Sequence, residues 1–146
     1  KDKAPPKVLF AERWRQAVRE ANKGWEYTLW TDEENRRLVA EHYPWLLEMY
    51  DGYPSAIQRA DAARYVLAFH YGGVYLDLDI ECFRPFSPLL ANVSLVLSYK
   101  AGANFSRGAS NSIFASAPGH PFWRVVDGSR CFLMIGIDGW RWPRRV

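Results

Sequence analysis

Two aspartates one residue apart, Asp77 and Asp79, interrupt an otherwise apolar run, VYLDLDI at 74–80. In a β-strand, residues two apart point to the same face, so a strand here would place both carboxylates side by side. Two anions about 7 Å apart repel by ~2.4 kcal/mol at an effective dielectric of about 20, and a divalent cation would remove that repulsion. Carboxylate oxygens suit Mg²⁺ or Mn²⁺, which can also stabilise a departing diphosphate. The pair is therefore a candidate metal site.

The same Asp-x-Asp spacing has other interpretations. As a structural feature it would end a strand and form salt bridges with Arg59, Arg64 or Arg84. Phosphotransferases of the haloacid dehalogenase kind also use Asp-x-Asp after a strand, but Thr or Val then follows, whereas Ile80 and Glu81 follow here. A calcium loop is disfavoured because its central Gly and terminal Glu are missing. The spacing alone leaves these alternatives open.

A second charged pair, Asp61 and Arg64, lies three residues apart on a predicted helix and hence on one face. Such an Asp can accept hydrogen bonds from sugar hydroxyls, and such an Arg can donate to phosphate oxygens. Without the neighbouring Asp-x-Asp, an ordinary intrahelical ion pair is the simpler interpretation. Tyr75 could pack beside a ligand or in the core. Asn111 could reach a sugar or occupy a turn before a strand.

Helical and strand patterns alternate along the chain. Their spacing predicts helices at 9–22, 31–43 and 56–71, a helix start at 118–127, and strands at 25–30, 74–80, 95–99 and 112–115. This order favours an α/β domain with a mostly parallel sheet. Ligands of such sheets bind beyond the carboxyl ends of the strands, so the end of the 74–80 strand is the predicted site.

The composition indicates one folded domain over residues 1–146, because 49% of the residues are hydrophobic and 24% are charged. The net charge is +3, and the Arg and Lys residues are spread over predicted helices without forming a stripe, which does not indicate nucleic-acid binding. No apolar run approaches the roughly 20 residues that a membrane span needs. Cys82 and Cys131 lack CxxC spacing, so a zinc site is not indicated and their pairing stays open.

Taken together, the motifs resemble the sugar-binding region of the family 32 glycosyltransferases. That family includes fungal initiating α-1,6-mannosyltransferases and the mannosyltransferases that act on inositol phosphoceramide. The resemblance covers about residues 13–126, and four segments carry it: WEYTLWTD at 25–32, YPSAIQRADAARY at 53–65, HYGGVYLDLD at 70–79, and SNS at 110–112 with ASAPGHPF at 115–122. A combined match of this kind is far more specific than Asp-x-Asp alone.

The resemblance implies a GT-A-like, Rossmann-related nucleotide-sugar-binding domain and a retaining sugar transfer with Mn²⁺ (or Mg²⁺). The implied donor is a nucleotide sugar, GDP-mannose being favoured, and the implied acceptor is a glycan or glycolipid hydroxyl. The implied location is the Golgi lumen, through a membrane anchor outside this chain. No residue is assigned as a catalytic nucleophile. The resemblance implies that Asp77 and Asp79 bind the metal ion. The resemblance assigns Asp61, Arg64 and Asp77 to the donor, and Tyr75 and Asn111 join them as candidates on their positions alone.

Two parts of the chain depart from the family pattern. The family opens with a strand reading roughly IPKIIHQTW, whereas APPKV at 4–8 runs directly into the first predicted helix. Residues 129–146 match no segment of the family and stay unassigned. The domain is therefore expected to be incomplete at both ends. The alternative function is that of a truncated or degenerate relative, which binds metal or nucleotide without turnover.

Overall fold

The computed structural model describes residues 7–99 and 109–124. Within these ranges the helices are α1 (Lys7–Ala21), α2 (Asp32–His42), α3 (Pro44–Asp51) and α4 (Ala56–His70). The strands are β1 (Gly73–Leu76), β2 (Leu95–Tyr99) and β3 (Ala109–Ser116), and a short 3₁₀ helix follows at Pro121–Arg124. The predicted α/β class is confirmed. None of the described helices combines the length and hydropathy of a membrane span.

The three described strands form an antiparallel sheet with β3 between β1 and β2. Gly73 lies opposite Ser116 and Leu76 opposite Ile113. For these strands the prediction of a mostly parallel sheet is wrong. Parallel neighbours need a crossover of a dozen or more residues. Residues 100–108, which join β2 to β3, are too few for one.

The strand predicted at 25–30 does not form in the described part of the chain. Only Glu26 makes a bridge, and residues 27–30 belong to no strand. They line a cavity together with β1. Aromatic and β-branched residues favour a pleated surface, but a strand also needs a neighbour for its backbone groups. No described residue pairs with 27–30 in a ladder, so local propensity alone was misleading here.

The three long helices are confirmed to within one or two residues because their end signals are local. Thr31 forms the capping box with Glu34, and the Ser55 hydroxyl accepts a hydrogen bond from the backbone N–H of Gln58. The sequence prediction ends a helix at residue 43 and does not include α3. Pro44 occupies the first turn of this new helix, where its missing N–H costs nothing. Within the described residues, the helix start predicted at 118–127 corresponds to the 3₁₀ helix at Pro121–Arg124, and residues 125–127 lie outside them.

The sheet is packed on both faces. Side chains on β3 alternate, so Phe114 joins a core with the α2, α3 and α4 side chains, among them Val39 and Val66. Its neighbour Ala115 joins a second core with Val18 of α1 and with residues of the segment after β1. α4 is thereby held against one face of the strand that precedes Asp77.

Gly72 links α4 to β1 and requires the absence of a side chain. Its φ is +64°, and a Cβ atom there would lie 2.6 Å from the backbone nitrogen of Pro118 and 2.7 Å from the Ser116 carbonyl oxygen. Any other residue would therefore push the β3 end away. This tight connection brings the α4 residues close to the end of β1.

Cys82 is a free cysteine among the described residues. Cys131 and the unassigned segment at 129–146 lie outside them, as do residues 1–6.

Candidate active site

Arg64 is the centre of a polar cluster between α4, β1 and β3. Its side chain is buried, and Nη2 lies 3.0 Å from Oδ1 of Asp61. Nη1 donates to the Asn111 carbonyl oxygen at 2.7 Å and lies 3.3 Å from Oδ1 of Asp77. The guanidinium group therefore contacts the carboxylates of Asp61 and Asp77 and the backbone of the central strand, β3. The rigid fork of an Arg suits such bridging better than a Lys ammonium would.

Asp77 and Asp79 do not share one strand face, because β1 ends at Leu76. They follow in a turn, in which the N–H of Ile80 donates to the Asp77 carbonyl oxygen at 3.1 Å. The prediction of a strand over 74–80 is therefore wrong at its end. The turn leaves the pair in unequal surroundings: Asp77 is partly buried within the cluster, whereas Asp79 is exposed. No hydrogen bond or ion pair of the Asp79 side chain is found among the described residues.

Tyr75 orients Asp77. Its hydroxyl donates to Asp77 Oδ1 at 2.9 Å, and its ring stacks on Phe114 with centroids 5.1 Å apart. The Arg64 guanidinium carbon lies 5.0 Å from the ring centroid. Burial is the main cause that raises the pKa of this phenol, and the adjacent Arg64 opposes the rise. Tyr75 therefore stays protonated and can donate to Asp77. Because the Tyr75 hydroxyl and the Arg64 guanidinium both contact Oδ1 of Asp77, its Oδ2 is free to face a ligand.

Asn111 lies at the other end of the cluster. Its Nδ2 donates to Asp61 Oδ1 at 3.0 Å and to the Tyr65 hydroxyl at 3.2 Å. Asn111 belongs to β3 and is not a turn residue before a strand. Tyr65 is a member of the cluster that was not predicted, although its position four residues after Asp61 places both on one helix face. The five residues predicted for the donor are thus all within one network.

The salt-bridge interpretation of Asp-x-Asp holds for Asp77 and Arg64. Arg59 is engaged elsewhere, since it donates to the Tyr53 carbonyl oxygen at 2.8 Å. A pure ion-pair role nevertheless leaves one atom unexplained. Arg64 Nε is buried and has no hydrogen-bond partner among the described residues. A buried donor without a partner is costly, and an acceptor on a bound ligand would remove that cost.

A cavity of about 790 Å³ opens beside this cluster. Residues 27–30, α1, α4 and β1 contribute mostly apolar walls, and the polar groups at its lining include Arg64, Asp77 and Asp79. Its volume lies within the range of about 300–1,000 Å³ common for small-molecule sites. Of the predicted donor residues, Asp61 and Asn111 are not at this lining and contact Arg64 instead.

The carboxylate oxygens of Asp77 and Asp79 suit a hard divalent cation. Asp77 and Asp79 supply carboxylate oxygens alone, which Mg²⁺ and Mn²⁺ prefer over nitrogen and sulfur. No group of three or more His, Cys, Asp or Glu side chains that could hold a metal occurs in the described ranges. A cation here would therefore take its remaining ligands from water and from a bound phosphate, as Mg²⁺ commonly does.

A family model described as "glycosyltransferase sugar-binding region containing DXD motif" matches residues 11–96. The chain is 41% identical over 117 residues to inositol phosphoceramide mannosyltransferase 1 of Schizosaccharomyces pombe, covering 76% of this chain and 35% of that protein. It is 40% identical over 115 residues to mannosyl phosphorylinositol ceramide synthase of Saccharomyces cerevisiae, covering 77% of this chain and 29% of that protein.

A more distant relative is the initiation-specific α-1,6-mannosyltransferase of Candida albicans, which is 26% identical over 91 residues, 60% of this chain and 24% of that protein. The chain thus spans about a third or less of the length of these curated relatives. No solved structure matches it.

Proposed function

The chain belongs to the glycosyltransferases that carry the DXD sugar-binding region, and from this premise we propose that it binds a nucleotide-sugar donor and takes part in transferring the sugar, with retention, to a lipid-linked hydroxyl. The cavity beside Asp77 and Asp79 is the proposed donor site. The proposed architecture of the whole protein is GT-A-like, with the described sheet as one part of it.

The observation that carries this proposal is the placement of Arg64. It joins Asp61 and Asp77, lines the cavity, and keeps a buried N–H without a partner among the described residues. A diphosphate oxygen is the acceptor that this guanidinium fits best. Asp61 is not at the cavity lining, so the sugar would extend past Arg64 for its hydroxyls to donate to Asp61 Oδ2, since Oδ1 is occupied by Arg64 and Asn111.

We propose Asp77 Oδ2 and Asp79 as the holders of Mn²⁺ or Mg²⁺. When bound, the ion would neutralise diphosphate charge and favour its departure. The chain's own groups fix the geometry: Tyr75 and Arg64 hold Asp77 Oδ1 and so leave its second oxygen directed elsewhere. No described side chain is assigned as a protein nucleophile.

Mannose is the proposed sugar, GDP-mannose the proposed donor and an inositol phosphoceramide-type glycolipid the proposed acceptor. The support is that the relatives at 41% and 40% identity are named for mannosylation of inositol phosphoceramide. Membrane attachment in the Golgi lumen is proposed on the same ground, through a segment outside this chain.

Calorimetric titration of the chain with GDP and UDP, each with and without Mn²⁺, tests the donor site. Metal-dependent binding that favours GDP is expected. A preference for UDP would keep the site and overturn the sugar assignment. No binding of either nucleotide by a folded sample would contradict the donor site itself. Tight GDP binding without mannosyl transfer to inositol phosphoceramide would support the degenerate, non-enzymatic alternative.

A further inference from the structure

Two polar side chains that lie far from the DXD turn in sequence also line the cavity, each with an unpaired buried atom. Asn35 on α2 is 8% exposed, and its Oδ1 has no hydrogen-bond partner among the described residues. Arg15 on α1 has a buried Nε without a partner there, while its Nη2 pairs with Glu12. Together with Arg64 Nε, these are the buried unpaired side-chain atoms of the described ranges, and all three residues line the same cavity. One ligand in this cavity could therefore satisfy all of them.

The free oxygen of Asn35 limits which part of a nucleotide sugar can lie beside it. This oxygen accepts hydrogen bonds and donates none. A diphosphate presents oxygens that are themselves acceptors, so it suits the guanidinium of Arg64 and does not suit Asn35 Oδ1. The partner of Asn35 must instead carry an N–H or O–H group, which the base, the ribose and the sugar do.

Asp32 places a second free acceptor on the same helix. It lies three residues before Asn35, so the two side chains share one face of α2 with their Cβ atoms about 5–6 Å apart. Asp32 is exposed and lines the cavity, and its carboxylate forms no hydrogen bond or ion pair within the described part of the chain. α2 therefore presents two unused acceptors to the cavity.

Guanine is the base whose hydrogen-bonding edge matches two acceptors and one donor. It carries the N1–H and the 2-amino group side by side, and O6 next to them is an acceptor. Uracil has a single ring N–H and no amino group, so it would leave one of the two acceptors without a partner. The rings of Trp14, Tyr27 and Trp30 also line the cavity, and a flat base can stack on such rings.

We propose that Asp32 and Asn35 select guanine as the base of the nucleotide, with Arg15 as their partner across the cavity. The 2-amino group donates to Asn35 Oδ1, the N1–H donates to the Asp32 carboxylate, and Arg15 Nε donates to O6. This inference rests on the proposed function and deepens it, because it names residues that determine the base in the donor site. Arg64 and the DXD turn hold the diphosphate whichever base is present.

Titration of the 146-residue chain in Mn²⁺ with GDP and with inosine diphosphate tests this assignment before any substitution is made. Inosine diphosphate differs from GDP only in lacking the 2-amino group. GDP is expected to bind about tenfold more tightly, since one hydrogen bond to a buried acceptor is lost with inosine diphosphate. Asn35→Ala should lower the affinity for GDP about tenfold and leave that for inosine diphosphate nearly unchanged. Asp32→Asn should weaken both nucleotides about fivefold, because both carry the N1–H.

Glu33→Gln is the matched control, because it neutralises the neighbouring carboxylate on α2, which is exposed and outside the cavity lining. It should bind both nucleotides like the unsubstituted chain. Equal affinities for GDP and inosine diphosphate in the unsubstituted chain would overturn the proposal. So would an Asn35→Ala variant that keeps the tenfold difference, since Asn35 would then contact a group common to both nucleotides, such as a ribose hydroxyl.

The donor site and its selection of the base fail separately. Metal-dependent binding of GDP, inosine diphosphate and UDP with equal affinity would keep the donor site and overturn the base assignment alone. A folded sample that binds none of these nucleotides would overturn both. Asp79→Asn should weaken GDP and inosine diphosphate by the same factor, because the metal and the phosphates are common to both, and should leave the ratio of their affinities unchanged. A ratio that falls to one in Asp79→Asn would contradict the separation of the base from the DXD turn and overturn the proposal.

Discussion

The two aspartates of the DXD turn lie two residues apart in very different surroundings. Asp77 Oδ1 is held by the Tyr75 hydroxyl and the Arg64 guanidinium. Asp79 is exposed, and no described residue bonds its side chain. The first belongs to a network that includes Asp61 and Asn111, all built on α4, β1 and β3. The second stands on the exposed turn that follows β1.

This difference divides the candidate site into two halves. The open half is Asp79, and the fixed half is the network of Asp61, Arg64, Tyr75, Asp77 and Asn111. The fixed half is assembled before any ligand arrives, so it can position a donor with little loss of conformational entropy. The open half has carboxylate oxygens that need a cation to offset their charge. We therefore expect substitutions in the fixed half to change both folding stability and ligand affinity. Substitutions in the open half should change ligand affinity alone.

Arg64→Ala should have the largest effect, because it removes the group that joins both carboxylates. Breaking a buried ion pair costs about 3–5 kcal/mol, but Asp61 and Asp77 are 41% and 30% exposed, so water screens the charges left behind. We expect a loss of about 2 kcal/mol in the free energy of unfolding, measured by urea denaturation. GDP affinity in Mn²⁺ should fall by about 100-fold, because a charge-assisted contact to phosphate is lost.

Arg64→Lys is the matched control, since it keeps the charge and loses the planar fork. It should regain part of the stability but little of the GDP affinity. Unchanged stability in Arg64→Ala would contradict the division, because the fixed half would then contribute nothing to folding.

Asp79→Asn should have a smaller and more selective effect. The substitution removes one charge from an exposed turn, so the free energy of unfolding, measured in urea, should stay within about 0.5 kcal/mol of the original. Affinity for GDP in Mn²⁺ should fall by at least about tenfold, since a carboxylate ligand is lost. Calorimetric titrations with and without Mn²⁺ measure this directly.

Glu81→Gln serves as the control for charge alone, because it neutralises a carboxylate two residues further along the chain. It should bind Mn²⁺ and GDP like the unsubstituted chain. If Asp79→Asn and Glu81→Gln weaken binding equally, the effect of Asp79 is general electrostatics and not metal ligation.

Much of the fixed half could be predicted because its signals are local. The helix that carries Asp61 and Arg64 is visible from its Ser55 cap, its periodicity and the glycines that end it. The three-residue spacing of the charged pair then follows from helix geometry. Tyr65 and the Asn111 carbonyl could not be found in this way. Their contacts join α4 to β3 over more than forty residues of sequence.

The errors of prediction concern groups whose partners lie far away in the chain. Alternation predicted a strand through Asp79, but β1 ends where its pairing with Ile113 of β3 ends. Beyond that point a turn decides the direction of each side chain. The aromatic segment at 25–30 has strand propensity, yet residues 27–30 have no ladder partner among the described residues. Sheet order and strand ends depend on such partners, which periodicity does not reveal.

Tyr75→Phe should have the smallest effect and separates positioning from packing. The substitution keeps the ring on Phe114 and under Arg64, and removes only the hydroxyl that holds Asp77. Loss of one hydrogen bond to a charged group predicts a fall of about tenfold in GDP affinity. The free energy of unfolding should fall by about 0.5–1 kcal/mol, less than in Arg64→Ala, because Arg64 still pairs with Asp77.

The pH dependence of the affinity loss in Tyr75→Phe shows whether the protonated phenol is the form that holds Asp77. Burial raises the pKa of the phenol above its ordinary value of about 10, and only the protonated hydroxyl can donate to Asp77. A group whose folded pKa is raised contributes fully below its unfolded pKa and loses that contribution as the pH rises through the folded pKa. The affinity ratio between the unsubstituted chain and Tyr75→Phe should therefore stay constant from about pH 6 to about pH 9. A ratio that collapses near pH 8 would mean that the phenol ionises early. Arg64 alone would then orient Asp77, and the fixed half would be held together by the ion pairs of Arg64 with Asp61 and Asp77.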